Sequence, residues 1–213
     1  MRPKRSLAGV LISVFALSGS AVVATASPAA ESARCTVVLL PQAVRGQLCL
    51  PANSTPRTVQ LLVHGSMDNR GYWDLPDGDR SYQRDMATSG YATFAIDRLG
   101  SGDGSQPLRS ADAAASVVHQ VVGMLRSGAV GENRFGKVVL TGHSTGAGIV
   151  VRAAATYRDA DGVVLTGMTE RLEPTSLGAD VPVMVADGQQ DAPLHADDHR
   201  AAIRAWIQGN VDL

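Results

Sequence analysis

Gly142-His-Ser-Thr-Gly146 is the stretch of this chain best suited to chemistry, because it sets one serine between two glycines in a G-x-S-x-G spacing. It follows the apolar run Lys137-Val-Val-Leu-Thr141 and precedes Ala147 to Ala155, which reads as a helix. Strand, tight turn and helix in that order make a nucleophile elbow, whose turn holds a serine hydroxyl out for attack. A turn that sharp strains its central residue, and Gly142 and Gly146 leave room for the strand and helix backbones to close in. Ser144 would then stand at a helix start, where unpaired N–H groups favour developing negative charge. The plainer alternative for the same residues is an ordinary glycine-rich turn. His64-Gly65-Ser66 ends another apolar run. A loop there can aim the Ser66 N–H at the same point as the N–H of Thr145, just after the candidate nucleophile. Two such donors make an oxyanion hole, and loss of one costs about 2.7–4 kcal/mol of transition-state stabilisation. His64 reads as a brace for this loop in preference to a proton shuttle.

These groups need a scaffold, and the chain supplies alternating strand and helix signals. Thr36–Leu40 and Gln47–Leu50 are short strand candidates around a turn at Gly46, followed by Thr58–His64, Tyr91–Ile96, the Val138 run, Gly162–Thr166 and Val181–Ala186. Helices are expected at Tyr82–Ser89, from Ser110 to about Arg126, after Ser144, and over Asp198–Gln208. Apolar strands separated by helices predict a mostly parallel sheet covered on both faces. In such sheets chemistry gathers at the carboxyl ends of the strands. His64, Asp97, Ser144 and Asp191 all fall at those ends.

The first residues read as a targeting signal. Met1-Arg-Pro-Lys-Arg5 is basic, Leu7 to about Val23 is apolar or small, and Ala24-Thr-Ala26 has the small-residue pattern of a cleavage site. Residues 1–26 are therefore expected to be removed, leaving 27–213 as one secreted domain with no stable membrane anchor. That length suffices for a proper core. Net charge is −1 with acids and bases interspersed, so nothing points to nucleic acid. Aromatic content of 4% argues against a broad sugar-binding platform. Cys35 and Cys49 are the only cysteines, and in an exported protein their spacing reads as one disulfide rather than a zinc site. No cluster suggests a metal or organic cofactor. Gly146-Ala-Gly148 lacks the G-x-G-x-x-G spacing of a dinucleotide loop.

Taken together, His64-Gly65, Gly71-Tyr-Trp-Asp74, Tyr91-Ala-Thr-Phe-Ala-Ile-Asp-Arg98 and Gly142–Gly146 resemble the α/β-hydrolase fold family. Asp97-Arg-Leu-Gly-Ser-Gly-Asp-Gly-Ser105 is similar to that family's D-R-x-G-x-G-x-S loop, with one residue extra. Cys49-Leu-Pro, Val59-Gln-Leu-Leu-Val-His-Gly65 and Tyr72-Trp-Asp look more narrowly like secreted bacterial α/β-hydrolases of the serine esterase and lipase kind with a cysteine-bearing lead-in. The resemblance runs from Cys35 to Gly167 and again from Val181 to Ala192. It implies acyl transfer from a small-molecule or lipid ester to Ser144, then to water, by a monomer without cofactors. Val181 to Asp191 is similar to the family's strand followed by G-x-x-D, which implies Asp191 as the orienting carboxylate. Asp187 and Glu170 are the other candidate acids.

The family's histidine usually lies beyond one more strand, whereas here His195 and His199 follow Asp191 almost at once. Two placements stay open. The last helix is either the fold's final helix, with His199 (or His195) at its entrance as the base, or the helix before a strand begun by Asn210–Leu213. In the second placement the chain stops before the usual histidine, and His195 and His199 are surface residues. About fifteen residues separate Thr166 from Val181, so little or no cap is expected where relatives carry a long one. His143 is expected to pack within the elbow, and His119 to be structural. The function these features imply is a secreted serine hydrolase using Ser144, His199 and Asp191. Its rival is an inactive or truncated member of the same fold with a binding role or none.

Overall fold

The computed structural model describes residues 33–66, 68–75, 81–101, 110–168, 177, 180–186 and 197–212. The expected signal segment lies outside them, as do Glu170, Asp187, Asp191 and His195. The strands are β1 (Arg34–Leu39), β2 (Arg45–Leu50), β3 (Thr58–Val63), β4 (Ala92–Ile96), β5 (Lys137–His143), β6 (Gly162–Thr166) and β7 (Val183–Ala186). They form one sheet in the order β1-β2-β4-β3-β5-β6-β7. β2 runs antiparallel to β1 and β4, and all other pairs are parallel. The described helices are α1 (Tyr82–Thr88), α2 (Ala111–Ser127), α3 (Thr145–Tyr157) and α4 (Asp197–Asn210).

Side chains alternate between the faces of a strand, and here both faces are covered, as the uniformly apolar runs predict. Val59, Leu61 and Val63 of β3, with Phe94 and Leu140, face α2 and α3. Leu62, Ala95, Val139 and Val164 face the opposite way, against Tyr82 and Met86 of α1 and Ile203 and Ile207 of α4. This second face also buries a polar group: Gln60 Oε1 accepts from Tyr82 Oη at 2.5 Å and from Thr141 Oγ1 at 3.2 Å. The helix boundaries follow from local chemistry. Ser110 Oγ accepts from the Ala113 N–H to cap α2, and Gly128 ends it with a φ of 84° that a glycine adopts without strain.

A crossover between parallel neighbours consumes a dozen or more residues by itself. Residues 167–182, which link β6 to β7, therefore leave little for a cap. α4 closes the described chain. Asn210 is helical, Val211 packs into the core and Asp212 accepts from Thr58 Oγ1 at the start of β3. None of these three residues is in a strand, and burial of the apolar Val211 holds them at the amino edge of the sheet.

Cys35 and Cys49 stand directly opposite each other in the β1–β2 ladder, 4.0 Å apart between Cα atoms, and are joined by a disulfide. The bridge secures a strand that, among the described residues, pairs with β2 alone and exposes Val37 and Leu39. Closing a loop of this size is worth about 3 kcal/mol. Reduction, or paired Cys35→Ser and Cys49→Ser substitution, should lower stability by about that amount. Urea unfolding with and without reductant measures it; superimposable transitions would show that the bridge contributes nothing.

Candidate active site

β5 ends at His143 and α3 begins at Thr145, so Ser144 alone makes the turn. Its φ of 50° and ψ of −119° lie where non-glycine residues rarely go, a cost of about 1–3 kcal/mol that the surroundings must over-determine. They do so by two hydrogen bonds. The Ser144 N–H donates to Thr166 O at 3.0 Å, and its carbonyl accepts from the Ala147 N–H at 2.9 Å. The flanking glycines are required by contact. A Cβ on Gly142 would stand 2.5 Å from Gly146 O, and one on Gly146 would stand 2.7 Å from His64 O and closer still to Val63 O. The Ser144 and Thr145 side chains are exposed, while Gly142 and Gly146 are buried.

The His64–Gly65–Ser66 loop lies against this turn. A Cβ on Gly65 would be 3.4 Å from Ser144 Cβ, and Ser66 Oγ is hydrogen-bonded to Thr145 Oγ1. The Ser66 N–H has no acceptor among the described residues, and Thr145 heads α3, whose first N–H groups a helix leaves unpaired. The exposed Ser144 side chain and the segments that carry these two N–H groups thereby adjoin at the carboxyl edge of the sheet, and neither N–H is seen to bond a described residue.

His64 serves as a brace. It is fully buried; Nδ1–H donates to Gly65 O at 2.8 Å, and Nε2 accepts the Arg98 N–H at 3.2 Å. Burial, aided by the Arg98 charge and opposed by the bond to Gly65, pushes its pKa from 6.5 down to about 4. The ring is therefore neutral at pH 7. Asp97 does not face the turn; it takes the Arg70 N–H at 2.8 Å and the Arg70 guanidinium, holding the turn Arg70–Trp73. That turn presents Tyr72, whose ring stacks on His143 with centroids 4.8 Å apart. His143 Nδ1 also lies 3.1 Å from Thr166 Oγ1, and Gly167 leaves room for its ring, since a Cβ there would sit 2.7 Å from Nδ1. His119 is remote from the turn, paired with Asp159 at 2.7 Å and stacked on Tyr157.

His199 stands in the first turn of α4, on the stripe it shares with the buried Ile203 and Ile207. Because α4 ends at the amino edge of the sheet, where Val211 meets Gly162 and Asp212 meets Thr58, its first turn lies toward the carboxyl edge that carries Ser144. His199 Nδ1 is buried and makes no hydrogen bond with another described residue. Asp191 and His195, the remaining expected members, lie outside the described residues. Sequence reasoning placed Ser144, Thr145 and Ser66 but assigned no role to Arg98, Tyr72 or Thr166. Arg98 and Thr166 carried one usable signal, a polar residue at the carboxyl end of a strand beside β3 or β5.

Comparison with known proteins bears on the same residues. A family model described as alpha/beta hydrolase family matches residues 60–212. Among solved structures the chain is similar to a predicted CIB-like hydrolase from Thermoplasma acidophilum, at 15% identity and a TM-score of 0.55, over 86% of this chain and 100% of that one. At that identity the likeness concerns the fold alone. No curated protein matches the chain.

Two outcomes are expected. Gly146→Ala drives a methyl group into backbone and should cost about 3 kcal/mol or more. Gly148→Ala, two residues on, meets nothing within 4 Å and should stabilise the protein by up to about 1 kcal/mol through helix propensity. Equal unfolding midpoints for the two variants would contradict the packing described. For His64, a folded pKa below the unfolded one means the unfolded chain binds the proton more readily between about pH 4 and 6.5. Stability from this group is complete above about pH 6.5 and lost as pH falls toward 4, by about 3 kcal/mol in all. Denaturant titrations across that window should show the slope in wild type and a shallower one in His64→Asn.

Proposed function

This chain belongs to the alpha/beta hydrolase family, and from that premise we propose that it is a secreted serine hydrolase cleaving carboxylic ester bonds. The observation that carries this reading is Ser144: an exposed side chain in a positive-φ turn at the head of α3, bordered by Ser66 and Thr145, whose side chains are hydrogen-bonded to each other and whose N–H groups are the proposed oxyanion donors. Ser144 Oγ attacks the ester carbonyl carbon while a histidine takes its proton. The carbonyl oxygen becomes an alkoxide, which the two N–H groups stabilise in a site already shaped for it. As the alkoxide collapses, the alcohol leaves with the histidine's proton and the acyl group stays on Ser144. Water, deprotonated by the same histidine, then attacks the acyl-serine and releases the acid.

His199 is the first candidate for the base, and the position of the first turn of α4 toward the carboxyl edge supports it. His195 is the second candidate, and Asp191 is the proposed orienting carboxylate. The short link over residues 167–182 favours small-molecule or lipid esters that reach Ser144 without passing a large cap. Serine chemistry of this kind needs no metal or organic cofactor, and a monomer suffices for it. The basic and apolar character of residues 1–26 supports export, and the Cys35–Cys49 bridge is in keeping with an oxidising compartment. The competing reading, a member of the family that has lost its chemistry, draws on one observation. Neither Ser144 Oγ nor His199 Nδ1 makes a hydrogen bond with a described residue.

A fluorophosphonate probe, with the adduct located by mass spectrometry, separates the two. The hydrolase reading expects rapid labelling at Ser144, none in Ser144→Ala, and slowing by about 10²–10⁴-fold when the true base is removed by His199→Ala or His195→Ala. Asp191→Ala should slow labelling as well. A folded wild-type protein that stays unlabelled would sink the reading.

A further inference from the structure

The peptide between Gly65 and Ser66 contains one of the two proposed oxyanion donors, and the buried His64 and half-buried Arg98 grip it from behind. Gly65 O accepts two charged or buried donors, His64 Nδ1–H at 2.8 Å and Arg98 Nη2 at 2.8 Å. The same Arg98 nitrogen reaches Ser66 O at 3.4 Å. Arg98 is itself anchored. Its N–H donates to His64 Nε2 at 3.2 Å, and its carbonyl accepts from Ser101 Oγ at 2.7 Å and the Ser101 N–H at 3.0 Å. His64 and Arg98 thus lock each other while both hold one carbonyl oxygen.

A trans peptide points its C=O and N–H in opposite directions, and no cis bond occurs among the described residues. Fixing the Gly65 oxygen therefore fixes the Ser66 N–H on the other side of the peptide plane. The elbow borders this loop: Ser144 Cβ is 3.4 Å from where a Gly65 Cβ would be, and Ser66 Oγ is bonded to Thr145 Oγ1. We propose that Arg98 is a positioning residue for the oxyanion hole, acting with His64 to turn the Ser66 N–H toward the Ser144 hydroxyl. This inference rests on the serine hydrolase reading. Arg98 also adds polarisation: a cation on a peptide carbonyl strengthens that peptide's N–H as a donor. The planar guanidinium suits the task because one nitrogen can serve two adjacent carbonyls while its charge stays behind the peptide.

Two measurements on the full mature chain test the proposal. With p-nitrophenyl acetate as the probe ester, Arg98→Met should lower kcat about 100-fold, the loss typical of one oxyanion donor, with KM within about two-fold of wild type. Arg98→Lys keeps the charge and one donor to Gly65 O, and should recover kcat to within about ten-fold of wild type. A folded Arg98→Met with wild-type kcat, or an effect on KM alone, would overturn the proposal. The second measurement needs no activity. Residual dipolar couplings of the Ser66 N–H should report a reoriented vector in Arg98→Met and an unchanged one in Arg98→Lys. An unmoved Ser66 vector in folded Arg98→Met overturns the positioning role whatever the kinetics show. Wild-type protein that neither labels nor turns over ester defeats the hydrolase reading instead, and the couplings still decide what Arg98 does.

Discussion

The passage of α3 beneath the end of β3 is the constraint on which the rest of the site depends. Gly146 lies so close to the carbonyl oxygens of Val63 and His64 that no side chain fits between them. Only with that approach can the helix begin one residue after β5 ends, and only then must Ser144 adopt a φ of 50°. The same approach sets Thr145 beside Ser66, so two loops far apart in sequence share one edge. A scaffold of strands buried on both faces can carry a strained turn, because the cost of about 1–3 kcal/mol is small beside the apolar burial around it.

Around this contact the polar groups are arranged in layers. Nearest the turn, Thr166 holds Ser144 through its backbone carbonyl and His143 through its hydroxyl. Tyr72 covers His143, and Asp97 secures the turn that carries Tyr72 through its bonds to Arg70. On the other side His64, Arg98 and Ser101 brace the Gly65 carbonyl. A neutral His64 is required there, since protonated Nε2 could not accept the Arg98 N–H; burial supplies that neutrality by pushing its pKa to about 4. His64 is thus committed to structure, so the proton transfer proposed for Ser144 would fall to a histidine from another element. α4 brings His199 toward that edge, anchored by ion pairs from Arg200 and Arg204 to Asp85 of α1.

Much of the scaffold was legible in the chain. Val59-Gln-Leu-Leu-Val63 and Val138-Val-Leu140 read as strands because they are apolar along their length, and both are central in the sheet. The β1–β2 pair was legible through two cysteines that prove to be cross-strand partners. Ser144 announced itself through the G-x-S-x-G spacing: Gly142 is demanded by local contacts with Gly146 and Ala147, whereas the demand on Gly146 comes from the distant Val63 and His64 carbonyls and only its glycine was visible in the chain. Arg98 was different. Its place beside Asp97 at the end of β4 was visible, but its two carbonyl partners lie more than thirty residues earlier, and no local spacing encodes the direction of a long side chain.

The sequence by itself determined the alternation of strands and helices, the strained serine between two glycines, and the cysteine pair. Each of these was visible in residue type and spacing along the chain. Only the tertiary structure decided which loops meet at the carboxyl edge. It made His64 a neutral brace rather than a base, gave Arg98 its hold on the Gly65–Ser66 peptide, and set the last turn of α4 at the amino edge of the sheet. Those outcomes depend on distances between segments remote in sequence, which sheet order and register set and which no local pattern of residues contains.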